Sequence, residues 1–190
     1  MSHSRFPSTT SLLFLVPLAA SCGGSDDSCG PGSAPAIGMV ASGGAATLTF
    51  GHFTGGLNND CPASNPPAGV VSMTIFGAQD GGDGAIALCV SRPDLLANGS
   101  QALGADVAGS EVRLIDLNGQ VSGCRYSVDR AKAITGTATS KGMCDNGNDP
   151  SGFALTLSGA LTFTRTCGST VDSFQVMLSG TVAITNNVAF

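Results

Sequence analysis

The chain has 190 residues, of which 42% are hydrophobic, and its 8 Lys plus Arg against 13 Asp plus Glu give a formal net charge of −5. This acidic balance argues against nucleic acid as a partner, because nucleic acid binding requires a basic surface. The chain has no Trp and a single Tyr. It therefore lacks the aromatic side chains on which a sugar-binding surface usually stacks its ligand.

The first 21 residues have the features of an export signal. A short polar start carrying Arg5 precedes an apolar run from Leu12 to Leu18, and small residues follow up to Cys22. The apolar run is shorter than the roughly 20 residues that a membrane-spanning helix needs. We therefore expect residues 1–21 to be a signal peptide that is removed on export.

The residues at the cleavage point read Leu18-Ala19-Ala20-Ser21-Cys22. They resemble the lipobox of bacterial lipoproteins, although the leucine stands one position earlier than usual. The resemblance implies that Cys22 becomes the first mature residue and carries lipid, which would anchor the protein on the periplasmic side or the cell surface of a bacterial outer membrane. Ala19 and Ser21 also fit the small-x-small pattern of ordinary signal peptidase, whose cleavage would give a soluble secreted protein.

The cysteine count supports the anchor independently. The chain has seven cysteines, and an exported chain meets an oxidising compartment in which cysteines form disulfides. If Cys22 is lipidated, the remaining six can form three disulfides, whereas a free Cys22 would leave one unpaired thiol. The six disulfide candidates are Cys29, Cys61, Cys89, Cys124, Cys144 and Cys167.

The sequence does not determine the pairing of these six, but it disfavours one bridge. Cys144 and Cys167 lie at opposite ends of a predicted strand, which would separate them by roughly 45 Å if the strand were straight. No pair has the C-x-x-C spacing of a zinc or thioredoxin-like site.

The mature chain divides into a tether and one domain. Residues 22–44 are rich in Gly, Ser, Pro and Ala and predict a flexible tether, although residues 37–40 would suit an edge strand if Cys29 is bound to the domain. From residue 45 to 190, apolar and polar residues alternate with the period of strands. We expect this region to be all-β, either an antiparallel β-sandwich or a strongly bent sheet, stapled by disulfides.

The alternation of apolar and polar residues predicts the position of several strands. Ala46, Leu48, Phe50 and His52 are predicted to share one face of the first strand, followed by a loop over residues 54–68. A hairpin over residues 70–76 and 85–90 has four core candidates: Met73, Ile75, Ile86 and Leu88. Residues 93–99 suit either one helical turn or a loop.

Two later hairpins carry sharper predictions. Asn118-Gly119 is the preferred pair for a two-residue turn and predicts a hairpin at that point. In the last hairpin, the apolar pattern places Leu157 opposite Val182 and Gly159 opposite Gly180. With Gly136 opposite Gly159, three glycines would cross the sheet, as a crease between packed layers or as a flat ligand groove.

Few residues suggest catalysis or metal binding. His52 is the one histidine left after signal removal, and there is no G-x-S-x-G motif for a serine hydrolase. Three loops are rich in oxygen ligands, which suits calcium but also ordinary turns. These loops are residues 58–60, residues 80–83 and residues 145–149, of which the last offers the best calcium candidates, Asp145 and Asp149.

The sequence therefore favours a non-enzymatic, lipid-anchored cell-envelope protein without a cofactor. Its β domain would serve binding or structural roles towards an envelope or extracellular partner. Two alternatives remain: a calcium-dependent adhesion module, and an envelope hydrolase whose site is assembled from dispersed residues such as His52.

Overall fold

The computed structural model describes residues 37–44, 46–63, 65–96, 99–105, 112–142 and 153–184. The prediction of an all-β fold is confirmed, with ten strands and one turn of 3-10 helix at Pro93–Leu96 in this part of the chain. The strands are β1 Gly38–Gly43, β2 Ala46–Asn58, β3 Ser72–Gln79, β4 Ala85–Val90, β5 Ser100–Ala105, β6 Val112–Val121, β7 Cys124–Val128, β8 Thr135–Gly142, β9 Phe153–Cys167 and β10 Thr170–Ile184.

The ten strands form one strongly bent sheet that closes on itself. β10 pairs with β1 on one side and with β9 on the other, and pairing continues from β1 through β2, β3 and β4 to β6. β6 and β9 are connected in two ways. In one part of the sheet, the short strands β5 and β8 lie between them, and in the other part β7 lies between them and pairs with both. Among the described pairs only β5 with β6 is parallel.

The interior of the closed sheet is its hydrophobic core. Along β9 and β10, buried apolar residues alternate with outward Thr and Ser, as the two-residue period of a strand requires. The four core candidates of the β3–β4 hairpin are confirmed, since each is at most 1% exposed. The largest buried side chains include Phe50, Phe163, Met39, Leu48, Leu114, Leu117 and Leu155.

The domain begins earlier than the sequence indicates. β1 lies within the segment assigned to the tether, yet it pairs with β10 on one side and β2 on the other. Met39 and Ala41 of this strand are fully buried in the core. The boundary at residue 45 is therefore wrong by one strand, because Gly and Ser around two buried side chains give a weak strand signal. The strand considered at residues 37–40 is present, but it lies between two strands and not at an edge.

The turn predicted at Asn118-Gly119 is also wrong. β6 continues through both residues, and the turn falls at Ser122-Gly123, whose φ angles of 50° and 76° fit a type I′ hairpin turn. Asn118 instead accepts a hydrogen bond from Ala85 N at 3.3 Å across the β4–β6 pair. Tertiary pairing with β4 thus overrides the local turn preference.

The last hairpin has the predicted strands but a register shifted by two residues. Leu157 lies opposite Gly180, and Gly159 lies opposite Leu178. The shift arises because the turn contains only Gly168 and Ser169, and an even shift keeps every side chain on its predicted face. Gly136 does lie opposite Gly159, but the row of three glycines is broken because Leu178, and not Gly180, lies opposite Gly159.

The two ends of the closed sheet differ. The four hairpin connections β1–β2, β3–β4, β6–β7 and β9–β10 lie at one end, which we call the turn end. The opposite end, the entry end, contains the start of β1 and the ends of β8 and β10. The chain therefore enters the domain at the end that is remote from the tight turns. No helix in the described ranges has the length and apolar character needed to cross a membrane.

Candidate functional site

Cys61 and Cys89 form a disulfide on the outside of the sheet. Cys89 is fully buried in β4, and Cys61 belongs to the loop that follows β2. Arg113 of β6 donates a hydrogen bond from Nη2 to the Cys61 carbonyl oxygen at 2.9 Å and lies 3.3 Å from the Cys89 sulfur. The bridge and the arginine together hold this loop against the outer faces of β4 and β6.

Cys124 and Cys167 form a second disulfide, which joins the start of β7 to the end of β9. An aromatic cluster lies beside it, in which Tyr126, Phe163 and Phe174 meet with ring centroids 6.3 Å apart. The disulfide and the aromatic cluster cover the core at the turn end. Because Cys167 pairs with Cys124, the doubt about a Cys144–Cys167 bridge is confirmed.

Arg165 and Asp172 form an ion pair across the β9–β10 hairpin next to this cluster. Arg165 Nε donates to Asp172 Oδ1 at 2.9 Å, and the guanidinium lies 5.8 Å from the Phe174 ring centroid. The hydrogen bonds from Arg165 lower the pKa of Asp172 below its usual value, and the same contact raises the pKa of Arg165. The pair ties the hairpin to the aromatic cluster by a cation–π contact.

The Asp172 carboxylate makes the stability of the hairpin end pH-dependent. Because its pKa is lower in the folded protein than in the unfolded chain, its contribution is present above the ordinary Asp pKa of about 3.9 and is lost as the pH falls through the folded pKa. We expect Asp172→Asn to lower the melting temperature near neutral pH and the difference from wild type to shrink below about pH 4. A difference that is constant from neutral to acidic pH in thermal scans would contradict this assignment.

Three of the seven cysteines, Cys22, Cys29 and Cys144, lie outside the described residues. The calcium candidates Asp145 and Asp149 lie outside them as well. Gly142, the last described residue before Cys144, is at the entry end, where it pairs with Phe153. The chain that leads from Cys29 also joins the sheet at this end, through Gly38.

His52 does not share the inner face of β2 with Leu48 and Phe50, so that prediction is wrong. The β2–β3 register shifts between Gly51 and Thr54, which places one extra residue in β2. His52 takes a φ of 50° and is exposed, whereas Phe53 packs against the core over Gly77. The bulge therefore exchanges the histidine for the phenylalanine on the inner face.

The strand also continues past the predicted loop start at residue 54 and ends at Asn58. There the Asn58 side chain acts as a turn residue, accepting hydrogen bonds from Asp60 N at 3.1 Å and from Thr74 Oγ1 at 3.2 Å. Asp80 lies in the β3–β4 turn and donates its backbone N–H to the Thr49 carbonyl at 2.8 Å. Within the described ranges, no three His, Cys, Asp or Glu side chains gather as a metal-binding group.

Sequence reasoning missed the inward-facing Gln79. Its Nε2 donates to the Gln120 carbonyl and its Oε1 accepts from the Gln120 N–H, both at 2.9 Å. β4 begins at Ala85, opposite Asn118, so beyond this point the Gln79 amide takes the place of β4 as the hydrogen-bonding partner of β6. The side chain lies against three glycines, Gly82, Gly84 and Gly119, at which any Cβ would overlap its amide.

Comparison with known proteins returns no match among protein-family models, among curated proteins or among solved structures.

Proposed function

We propose that this protein is a non-enzymatic lipoprotein of the bacterial cell envelope, anchored through Cys22, whose β domain serves a binding or structural role. The cysteine arrangement carries the proposal. Two disulfides use four of the seven cysteines and leave Cys22, Cys29 and Cys144. Pairing of Cys29 with Cys144 leaves Cys22, the cysteine in the lipobox-like segment, as the odd one.

The strand order at the entry end supports a Cys29–Cys144 pair. β1, β10, β9 and β8 are consecutive neighbours, so the start of β1 and the end of β8 are three strand spacings apart, about 15 Å. The nine residues from Cys29 to Gly38 can span up to about 30 Å. The bridge is therefore within reach, and it would leave only a short tether between the lipid on Cys22 and the domain.

The filled interior restricts where a partner could bind to this domain. Apolar side chains from the surrounding strands meet inside the closed sheet, so the inner face forms the core. A partner would then contact the outer surface or the turn end, which points away from the anchor in this proposal. This arrangement suits a display or scaffold role towards a cell-envelope or extracellular partner.

Replacement of the anchor cysteine tests the proposal. The wild-type chain, expressed at full length in a bacterial host, should fractionate with membranes and incorporate labelled fatty acid. Cys22→Ala should lose the label and leave the membrane fraction, whereas Ser25→Ala, three residues further on, should behave as wild type. Unlabelled wild-type protein in the soluble fraction would refute the anchor, although the fold and its disulfides would be unaffected.

A further inference from the structure

The Cys61–Cys89 disulfide has polar groups beside both of its sulfur atoms. Arg113 Nη2 lies 3.3 Å from Cys89 Sγ, and the Ser91 hydroxyl lies 3.5 Å from the same sulfur. The Thr74 hydroxyl lies 3.9 Å from Cys61 Sγ. Each sulfur therefore has a group next to it that can donate a hydrogen bond, and the donor that is closest to Cys89 carries a positive charge.

These donors favour Cys89 as the sulfur that leaves when the disulfide is attacked. A nearby cation stabilises a thiolate, as does a hydrogen-bond donor. In thiol–disulfide exchange, the attacking thiolate bonds to one sulfur of the bridge and the other sulfur leaves as a thiolate, faster when that thiolate is more stable. Because Arg113 and Ser91 both lie beside Cys89, the attacking thiol is expected to bond to Cys61.

The Arg113 guanidinium is in contact with both halves of the bridge. In the oxidised protein its Nη2 donates a hydrogen bond to the Cys61 carbonyl oxygen at 2.9 Å, and this oxygen lies 3.3 Å from Cys89 Sγ. When the disulfide opens and Cys61 moves away, the same donor remains beside the Cys89 sulfur. The charge that holds the loop in the oxidised form thus holds the thiolate in the reduced form.

The two cysteines differ in how an attacking thiol can reach them. Cys89 is fully buried in β4, which pairs with β3 on one side and with β6 on the other. Cys61 is 7% exposed in the connection between β2 and β3, and the residues on either side of it are exposed. Its N–H donates to Ser72 Oγ at 3.3 Å. A local opening of this connection brings the Cys61 sulfur to solvent while β4 stays in place.

We propose that the Cys61–Cys89 disulfide is a thiol–disulfide exchange site that a dithiol reductant opens at Cys61. The first thiolate of the reductant attacks Cys61 Sγ and forms a mixed disulfide, while the bond to Cys89 breaks and its electron pair stays on Cys89. The second thiol of the reductant attacks the mixed disulfide, which forms the reductant's own disulfide and releases Cys61.

The exchange balances in electrons and protons. Two electrons pass from the dithiol to the bridge, and the dithiol gives up two protons. Cys61 takes one proton, and the other goes to solvent because Cys89 stays a thiolate beside Arg113. The product is a protein whose β2–β3 connection is no longer bonded to β4, and this step does not depend on the lipid anchor.

The Cys124–Cys167 disulfide provides an internal reference. Both of its cysteines belong to strands, in which Cys124 pairs with Val121 and Cys167 pairs with Thr170. Its opening would therefore release no loop. The two bridges are in the same molecule, so a difference between them in one sample reports the surroundings of each bridge.

Reduction of the two disulfides side by side tests the proposal. The full chain is equilibrated with mixtures of reduced and oxidised dithiothreitol, free thiols are alkylated, and peptide mass spectrometry gives the reduced fraction of each bridge. Cys61–Cys89 should be half reduced at a lower ratio of reduced to oxidised dithiothreitol than Cys124–Cys167. Arg113→Met should raise the ratio for Cys61–Cys89 by about tenfold, because a charge-assisted hydrogen bond to the thiolate is lost.

Three further measurements keep the test independent of that one variant. Ser91→Ala should raise the ratio for Cys61–Cys89 by less than Arg113→Met does, since it removes an uncharged donor. Arg125→Met is the matched control for the loss of an arginine, because Arg125 lies in β7, and it should leave the Cys61–Cys89 ratio unchanged. A short pulse of reduced glutathione, quenched with acid, should place glutathione on Cys61.

Three results would overturn the proposal. The first is a wild-type protein in which both disulfides are half reduced at the same dithiothreitol ratio. The second is a ratio for Cys61–Cys89 that neither Arg113→Met nor Ser91→Ala changes while the circular dichroism spectrum matches wild type. The third is glutathione bound to Cys89 and not to Cys61 after the pulse.

Discussion

Gln79→Leu is expected to lower the free energy of unfolding by about 1–3 kcal/mol, because it removes both partners of the partly buried hydrogen bonds that the N–H and C=O of Gln120 make. Both partners are atoms of the Gln79 side chain, which is 8% exposed. The effect is measured by urea or thermal unfolding with the disulfides intact. Gln79→Glu keeps the acceptor but loses the donor, so its penalty should decrease when the new carboxyl is protonated at acidic pH.

Gln120→Leu provides the matched control. Its side chain is exposed, and the bonds to Gln79 come from its backbone, so this change leaves the interaction in place. A surface substitution of this kind usually changes stability by less than about 0.5 kcal/mol. Equal losses in Gln79→Leu and Gln120→Leu would show that the amide does not close the ladder.

Phe163→Ala is expected to cost about 3–5 kcal/mol, the range for removing a buried phenylalanine. Phe163 is fully buried and contacts both Tyr126 and Phe174 in the cluster that closes the turn end. The loss combines the free energy that burial of the ring contributes with the cost of the cavity left among its neighbours. Unfolding should remain cooperative, with a clearly lower denaturant midpoint.

Phe76→Ala removes the same ring from a position that is 52% exposed. We expect this control to change stability by no more than about 0.5 kcal/mol. If Phe163→Ala were as mild as Phe76→Ala, the aromatic cluster would not be part of the cooperative core.

The sequence predicted features that depend on the period of side chains. The all-β class, the β3–β4 hairpin and the faces of β9 and β10 all follow from alternation, and alternation is insensitive to a two-residue shift. The exact register was not predictable because it depends on turn length, and Gly168-Ser169 makes a shorter turn than the pattern suggested.

Features that depend on distant contacts were missed. Asn118-Gly119 has the strongest local turn signal, but β4 pairs along this part of β6 and keeps it extended. His52 follows three alternating residues, but a bulge places Phe53 on the core side. Gln79 is a polar residue next to a turn, and in the sequence only the nearby glycines indicate that its side chain packs against backbone.

For the candidate sites, the sequence identified the cysteines and the structure supplied the pairs. Four of the six disulfide candidates form Cys61–Cys89 and Cys124–Cys167, which spacing alone could not assign. Cys22 and its lipid remain a prediction from the signal segment and the cysteine arrangement.

The central claim is that one cysteine of the seven is an anchor and that the other six close the domain. Peptide mass spectrometry of membrane-purified protein, digested without reductant, tests it most directly. The account predicts an N-terminal peptide that starts at a lipid-modified Cys22, together with a Cys29–Cys144 peptide beside the two disulfides already described. An unmodified Cys22, or a disulfide that includes Cys22, would contradict it.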